Sequence, residues 1–380
     1  MQVNQSNMNR LILVGNGFDL AHGLKTSYND FILSYVSSCL TEANDKRVFK
    51  DDAMTISTGQ GFYDLPRTRW KSIEELVMDV YKTSGLDALF TADTLHFGSY
   101  AIRNIFSASF RFPFVKKLIV TCSDCNWVDI ENLYYKELKS IISNNKGSGD
   151  VNELNLAMKH IISKLEEYLS SLPKIEPSIE YTDIFRSRIR EQEFVMPNIS
   201  QHSKLEKTLV LSFNYTNNIE GYSKLLNIAN PNPHDLNFIH GRLQDPENPI
   251  IFGFGDELDK DYSVLEMHET KGLLDYLKSF WYNRTTNYHN LIRFIESDYF
   301  QVFILGHSCG LSDRTMLNMI FEHDNCKSIK IFYYEDEAGK TNYNELTQEI
   351  SRNFIDKRSM RRKIVPFPLC APMSQVGSKG

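Results

Sequence analysis

A glycine turn, Gly15-Asn16-Gly17, follows the short apolar run Leu11–Val14 and leads into sequence able to open a helix. Glycines at such a junction let backbone N–H groups approach a phosphate, and a helix N-terminus adds a favourable dipole. The dinucleotide fingerprint is incomplete, because its third glycine falls on Leu20 and no clear ribose acid stands about 20 residues beyond the turn. Hydride transfer is therefore disfavoured. A second loop, Gly306-His307-Ser308-Cys309-Gly310, fits the G-x-S-x-G nucleophile elbow and follows the apolar run Val302–Leu305. Chain order opposes a serine hydrolase, since that fold places an acid and then a histidine well after the serine, whereas His323 is the only histidine beyond Ser308. Ser308 is read instead as part of a cofactor loop. Cys122 and Cys125 have C-x-x-C spacing, but structural zinc needs four ligands and no second pair is evident, so no metal is expected.

The elements that must position these loops are legible from apolar patterning. Strand candidates are Leu11–Val14, Thr208–Phe213, Phe238–His240, Ile250–Phe252, Gln301–Leu305 and Ile329–Tyr334, several followed by Gly, Asn or Asp and then helix-like sequence. Strands alternating with helices imply a parallel α/β sheet. Between them, Ser72–Tyr81, Val128–Ile142 and Val151–Leu172 carry apolar residues at three- and four-residue intervals, which predicts helices. Asp124 or Asp129 is a candidate cap, Ser148-Gly149-Asp150 reads as a helix-to-helix connection, and Asp313 as the cap of a helix starting near Arg314. The echo Trp70-x-x-Ile-Glu74 and Trp127-x-x-Ile-Glu131 suggests two aromatic anchors rather than a repeat. Asn230–His234 is a turn-rich connector, the cluster Lys357, Arg358, Arg361, Arg362 and Lys363 reads as a solvated helix end, and Pro366–Gly380 as a mobile tail.

Composition bounds the function. With 42% hydrophobic and 24% charged residues the chain has the makeup of a globular protein, and its 380 residues suffice for more than one domain. The net charge of −6 offers no field for attracting nucleic acid. Six scattered cysteines and the lack of any long apolar run point to reduced thiols in a soluble, cytoplasmic protein without a membrane segment.

The string Leu13–Phe31 (LVGNGFDLAHGLKTSYNDF), then Phe213-Asn-Tyr-Thr216, Ile239-His-Gly241 and Gly306–Asp313 (GHSCGLSD), resemble in order the landmarks of sirtuins, and most closely the abortive-infection AbiH family, a sirtuin-like group associated with bacterial phage defence. The motifs extend over most of the chain. One departure is plain: sirtuin deacetylases carry a four-cysteine zinc module after the His-Gly, and here only Cys309, Cys326 and Cys370 follow Gly241, far apart. A peptide-deacetylase groove is thus poorly supported, and the resemblance implies NAD+ binding with cleavage of the nicotinamide–ribose bond.

It implies a Rossmann-type parallel sheet, sirtuin-like, formed by residues 1–60 and 205–356, a large helical insertion at 61–204, and a basic, flexible tail at 357–380. Catalytic roles then fall on Asn214, which holds a ribose hydroxyl or the attacking water, on His240 as general base, and on Asp19, whose carboxylate faces developing positive charge. Gly15, Asn16, Gly17, Phe18, His22, Thr216, Gly306, Ser308 and Asp313 are the expected NAD+ contacts. Such an NAD+ hydrolase must be restrained, by homo-oligomerisation or by a phage-derived trigger acting through the helical block. The alternatives are a sensor that binds NAD+ or an NAD+-derived ligand without cleaving it and, third, the serine hydrolase.

Overall fold

The computed structural model describes residues 8–58, 70–91, 94–97, 100–103, 106–121, 127–144, 146–195, 205–229 and 234–378. Cys122, Asp124, Cys125 and most of the 230–234 connector lie outside them. The chain begins β1 (Met8–Val14), α1 (Asn16–Ala21), α2 (Tyr28–Lys46), β2 (Val48–Lys50), β3 (Met54–Thr58), α3 (Ile73–Ser84), α4 (Ala88–Thr91), β4 (Thr94–Phe97), β5 (Tyr100–Arg103) and β6 (Phe106–Phe110). It continues α5 (Pro113–Val120), α6 (Trp127–Ser143), α7 (Ser148–Ser171), α8 (Ile179–Arg186), β7 (Leu205–Ser212), α9 (Asn218–Ala229), β8 (His234–Phe238), α10 (Tyr262–Glu266) and α11 (Lys278–Trp281). It ends α12 (Asn287–Ser297), β9 (Phe300–Leu305), α13 (Arg314–Glu322), β10 (Cys326–Tyr333), α14 (Tyr343–Arg352), α15 (Lys357–Lys363) and β11 (Ala371–Pro372). Chain contacts divide these into two compact units, one of residues 1–25, 172–268 and 274–380, the other of 26–171 and 269–273.

The first unit is built on a six-stranded sheet in the order β11-β10-β9-β1-β7-β8, with every pairing parallel. Read from β8, this is the doubly wound order 3-2-1-4-5-6, in which the direction of strand addition reverses between β1 and β9. Central parallel strands lie under helices on both faces, so β1 and β9 are buried at every position. Alternate residues serve the two faces: Leu11, Leu13, Val302 and Ile304 pack with α12, α13 and α14, while Ile12, Val14, Phe303 and Leu305 pack with α1, α8 and α9. Ile250–Phe252 is not a strand; it turns back under Gly241 and is tied by the Ile251 N–H to the His240 carbonyl at 2.8 Å.

The carboxyl-terminal residues are part of this sheet rather than a free tail. β11 pairs with β10, the Met373 N–H donates to the Tyr333 carbonyl at 2.7 Å, and the Tyr181 hydroxyl donates to the Ser374 carbonyl at 2.7 Å. This docking was hidden in sequence because the strand contributes only two residues, one of them proline. The basic helix α15 has a local purpose: the Lys363 ammonium donates to the Phe321 and His323 carbonyls, each at 2.9 Å, at the end of α13, where a cation complements the helix dipole.

The second unit adds strands to the helical insertion expected at 61–204, and it starts at residue 26. Beside α2, α3 and α5–α7 it holds the antiparallel sheet β2-β3-β6 and the pair β4-β5. Strands β2, β3 and β6 are short and partly exposed, so they lack the apolar runs that marked the main sheet. The two tryptophans anchor helices as their spacing suggested: Trp70 donates to Asp79 and Trp127 to the Thr26 carbonyl, both at 2.9 Å. Ser148–Asp150 form the first turn of α7, not a connection.

Three elements of this unit meet at Asp51. Its Oδ2 accepts from the Tyr35 hydroxyl at 2.6 Å and lies 3.2 Å from His160 Nε2, while Oδ1 accepts the Ala53 and Met54 N–H groups. Burial opposes ionisation, but His160, Tyr35 and the two amides outweigh it and bring the carboxyl down to about 2. A carboxyl depressed in the folded state stabilises above its unfolded value and loses that contribution as pH falls through the folded one. The stability advantage of wild type over Asp51→Asn, read by denaturant unfolding, is therefore expected to shrink from pH 4 to about 2. An advantage unchanged across that range would contradict the assignment.

Candidate functional site

The loops after β1, β7, β8 and β9 carry the residues singled out from sequence, and the first unit brings them together at the carboxyl ends of these strands. The turn after β1 and the loop after β9 interlock. The Gly17 N–H donates to the Gly306 carbonyl at 2.8 Å, and the Gly15 N–H to the Leu305 carbonyl at 3.2 Å. A Cβ on Gly15 would lie 2.5 Å from the His307 Cα, and one on Gly306, whose φ is +75°, 2.2 Å from the Phe18 nitrogen. Backbone thus touches backbone at the point where the sheet order reverses, which is where open α/β sheets place their ligands. The glycines are explained by this contact. The N–H groups of Gly15, Gly17 and Phe18 are spent on protein carbonyls, while Asn16, Gly17 and Gly306 remain half-buried and Ser308 exposed.

Asn214, just past β7, donates from its amide to the Gly15 carbonyl at 3.0 Å. Asp19, on α1, accepts from the Thr216 hydroxyl at 2.6 Å and the Asn218 amide at 3.1 Å. The FNYTNN segment after β7 therefore supplies three polar side chains to the first turn. His22 points elsewhere: Nδ1 lies 2.7 Å from the Phe18 carbonyl and Nε2 2.7 Å from the Tyr222 hydroxyl, among the rings of Phe18, Tyr181 and Tyr222. His22 and Phe18 thus pack the helix layer.

Asp19 is 1% exposed, and burial pushes its carboxyl up to about 6 against the hydrogen bonds from Thr216, Asn218 and Asn214. The folded state then holds a proton more tightly than the unfolded chain, so stability falls as pH rises from 3.8 to about 6. Asp19→Asn is expected to gain on wild type through that window, measured by denaturant unfolding; a constant difference would contradict it.

The second group forms around Asp313. It occupies the N-cap position of α13, yet its carboxylate makes no cap hydrogen bond. Oδ1 instead accepts from the Lys278 ammonium at 2.8 Å and lies 3.2 Å from His240 Nε2, and Oδ2 lies 3.7 Å from His307 Nε2. His240 sits two residues beyond β8, held by the turn at Gly241, whose φ is +78° and where a Cβ would lie 2.0 Å from the Pro249 carbonyl oxygen. Its Nε2 is also 3.1 Å from the Tyr282 hydroxyl. His307 Nδ1 accepts the Cys309 N–H at 2.9 Å, so Nε2 of the neutral ring carries the proton and faces Asp313. The Phe213 ring lies against both imidazoles.

Burial sets the charges. Desolvation, with the Lys278 charge, lowers the pKa of His240; His307 is pushed down to about 4 by burial. Burial works against the Asp313 carboxylate, but Lys278 and the two imidazoles outweigh it and hold its pKa well below the usual range. At neutral pH the cluster is one ammonium, one carboxylate and two neutral imidazoles. Lys278, His307, Tyr282 and Asn218 were missed from sequence. His307 stood within a recognised motif, six residues before Asp313, but nothing in the spacing around Lys278 marks it.

The serine-hydrolase geometry is absent from the 306–310 loop. The nucleophile of an elbow sits on the strained residue, and here the left-handed non-glycine residue is Cys309, φ 57°, its carbonyl held by the Asn353 amide at 2.7 Å. His323 accepts the Asn325 N–H and lies 3.5 Å from Glu296.

A family model described as bacteriophage abortive infection AbiH matches residues 11–335. This chain belongs to the AbiH family. The match includes every motif from the Gly15 turn to Asp313, so the interlocked glycines and the Asp313 cluster lie inside the AbiH region. No curated protein and no solved structure matches the AbiH chain. Among its described residues no helix is long and apolar enough to cross a membrane, and no group of three His, Cys, Asp or Glu side chains could hold a metal ion.

Proposed function

We propose that this AbiH protein defends against phage by hydrolysing NAD+ at the nicotinamide–ribose bond, on a sirtuin-like core. The observation that carries this reading is the convergence of Asn214, Asp19, His240 and the glycine turn at the reversal point of a doubly wound sheet. In the reaction, water attacks the anomeric carbon as the carbon–nitrogen bond breaks, nicotinamide leaves with the bonding pair, and the water proton passes to His240. With Nε2–H facing Asp313, Nδ1 is the basic atom of His240. The neutral amide of Asn214 both donates and accepts, which suits a ribose hydroxyl or the attacking water. The Asp19 carboxylate opposes the positive character of an oxocarbenium-like transition state. Gly306, Ser308 and Asn16 stand at the surface of the interlocked loops, where the phosphates would lie.

The test is incubation of protein purified from phage-infected cells with NAD+ and chromatography of the products. Equimolar nicotinamide and ADP-ribose are expected from wild type, and far less of both from His240→Ala or Asn214→Ala; release undiminished in both variants would remove these residues from the mechanism.

A second reading, a sensor that binds NAD+ or a derivative without cleaving it, is favoured by burial: Asp19, His240 and Asn214 are 1%, 4% and 8% exposed. Saturable NAD+ binding without products, before and after phage infection, would establish it. In the hydrolase reading the same burial is the restraint, and a phage-derived trigger or self-association opens the site.

A further inference from the structure

We infer that Lys278 is a positioning residue that sets His240 as a neutral base with its free lone pair on Nδ1, acting through Asp313. The inference rests on the hydrolase reading for its catalytic meaning, but its geometry stands apart from any substrate. Lys278 is 1% exposed, on the short helix α11, and its ammonium shares Asp313 Oδ1 with His240 Nε2, at 2.8 and 3.2 Å. Two features hold it there. The Lys278 N–H donates to the Phe254 carbonyl at 2.9 Å, and Gly255 packs against its stem, where a Cβ would lie 3.2 Å from the Lys278 Cβ and 2.7 Å from the Ser312 carbonyl oxygen. The buried Phe252-Gly-Phe-Gly-Asp256 loop thus presses Lys278 onto the residues preceding α13.

The charge count explains why a cation is required. Lys278 and Asp313 cancel, which leaves His240 and His307 uncharged in a dry site. The groups facing His240 are Asp313, Lys278, His307 and the Tyr282 hydroxyl, with the Phe213 ring at its edge. Without the ammonium, the buried carboxylate would draw a proton onto the nearer imidazole. His240 at 3.2 Å is closer than His307 at 3.7 Å. An imidazolium has no lone pair, so His240 could no longer accept a proton at neutral pH. The carboxylate also selects the tautomer, because a lone pair on Nε2 would face the negative oxygen. Lys278 therefore supplies the charge, Asp313 the direction, and His240 the basic atom.

The experiment is a proton–nitrogen NMR titration of the full-length protein labelled at histidine, with His240 assigned by its absence in His240→Ala. In wild type the His240 resonance is expected to be neutral, with Nε2 protonated, at pH 7. In Lys278→Met its titration midpoint is expected to rise by about one pH unit or more, whereas Lys278→Arg keeps the wild-type midpoint. An unchanged midpoint in a folded Lys278→Met overturns the inference. Should Lys278→Met not fold, Lys278→Met/Asp313→Asn removes both charges together and is expected to fold, as buried pairs replaced jointly are tolerated better than broken ones; failure of the double variant to fold also overturns it. NAD+ cleavage measured on the same variants purified from phage-infected cells separates the two claims. A shifted midpoint with no cleavage by wild type retains Lys278 and rejects the hydrolase, while cleavage with an unshifted midpoint does the reverse.

Discussion

Replacing His240 by alanine is expected to lower nicotinamide release by about 10²–10⁴-fold, the range lost with a general base, while the protein stays folded. The fold survives because the Lys278–Asp313 pair remains and the cluster stays neutral without the imidazole. The loss should appear in the turnover number rather than in substrate affinity, since a base acts on the water and not on the bound nucleotide. A variant that keeps wild-type turnover would make His240 a core residue. The pH profile carries a second signature. Because burial lowers the pKa of His240, the base is already neutral on the acid side of its ordinary value of 6.5, and the acid limb of activity should follow protonation of Asp19 at about 6 instead.

The second large effect is on stability. Gly306→Ala is expected to cost on the order of 3 kcal/mol or more, because the substitution combines a left-handed backbone with overpacking against a neighbouring main chain. Its φ is +75° and the added Cβ would lie 2.2 Å from the Phe18 nitrogen, an atom that cannot move aside without shifting α1. Gly339 provides the control. It has φ +78° and nothing within 4 Å of the built Cβ, so Gly339→Ala pays only the backbone strain, about 1 kcal/mol. The difference between the two, measured by denaturant unfolding, isolates the contact between the Gly15 turn and the Gly306 loop. Equal costs would mean that the loops do not interlock.

Much of this was legible in sequence, for reasons that differ by element. β1, β7, β9 and β10 were found because central parallel strands are buried on both faces and read as apolar runs. Their true starts were not found where charges intrude. Arg10 lies inside β1, fully buried, with its guanidinium donating to the Ser187 carbonyl and Gln301 and resting 4.2 Å over the Phe303 ring. A sequence window scores that arginine as surface. The short antiparallel strands β2–β6 and the two-residue β11 offered no run to recognise. In the site, ordered motifs led to Asn214, His240 and Asp313, because each stands next to a glycine turn or a strand end. Lys278 was invisible for the opposite reason: its importance comes from a contact 35 residues away in sequence. The glycine turn shows the limit of motif reading most clearly. The pattern that suggested a phosphate cradle is explained by one loop's need to touch another, and the NAD+ reading rests on the side chains around it.

We propose that protection by this AbiH protein is NAD+ cleavage at the Asn214–His240 site. Its most direct test is the NAD+ content of phage-infected bacteria that the wild-type protein protects, beside cells carrying His240→Ala. NAD+ is expected to fall and ADP-ribose to rise in the infected wild type, and both changes to disappear together with protection in the variant. Protection with NAD+ unchanged would contradict it.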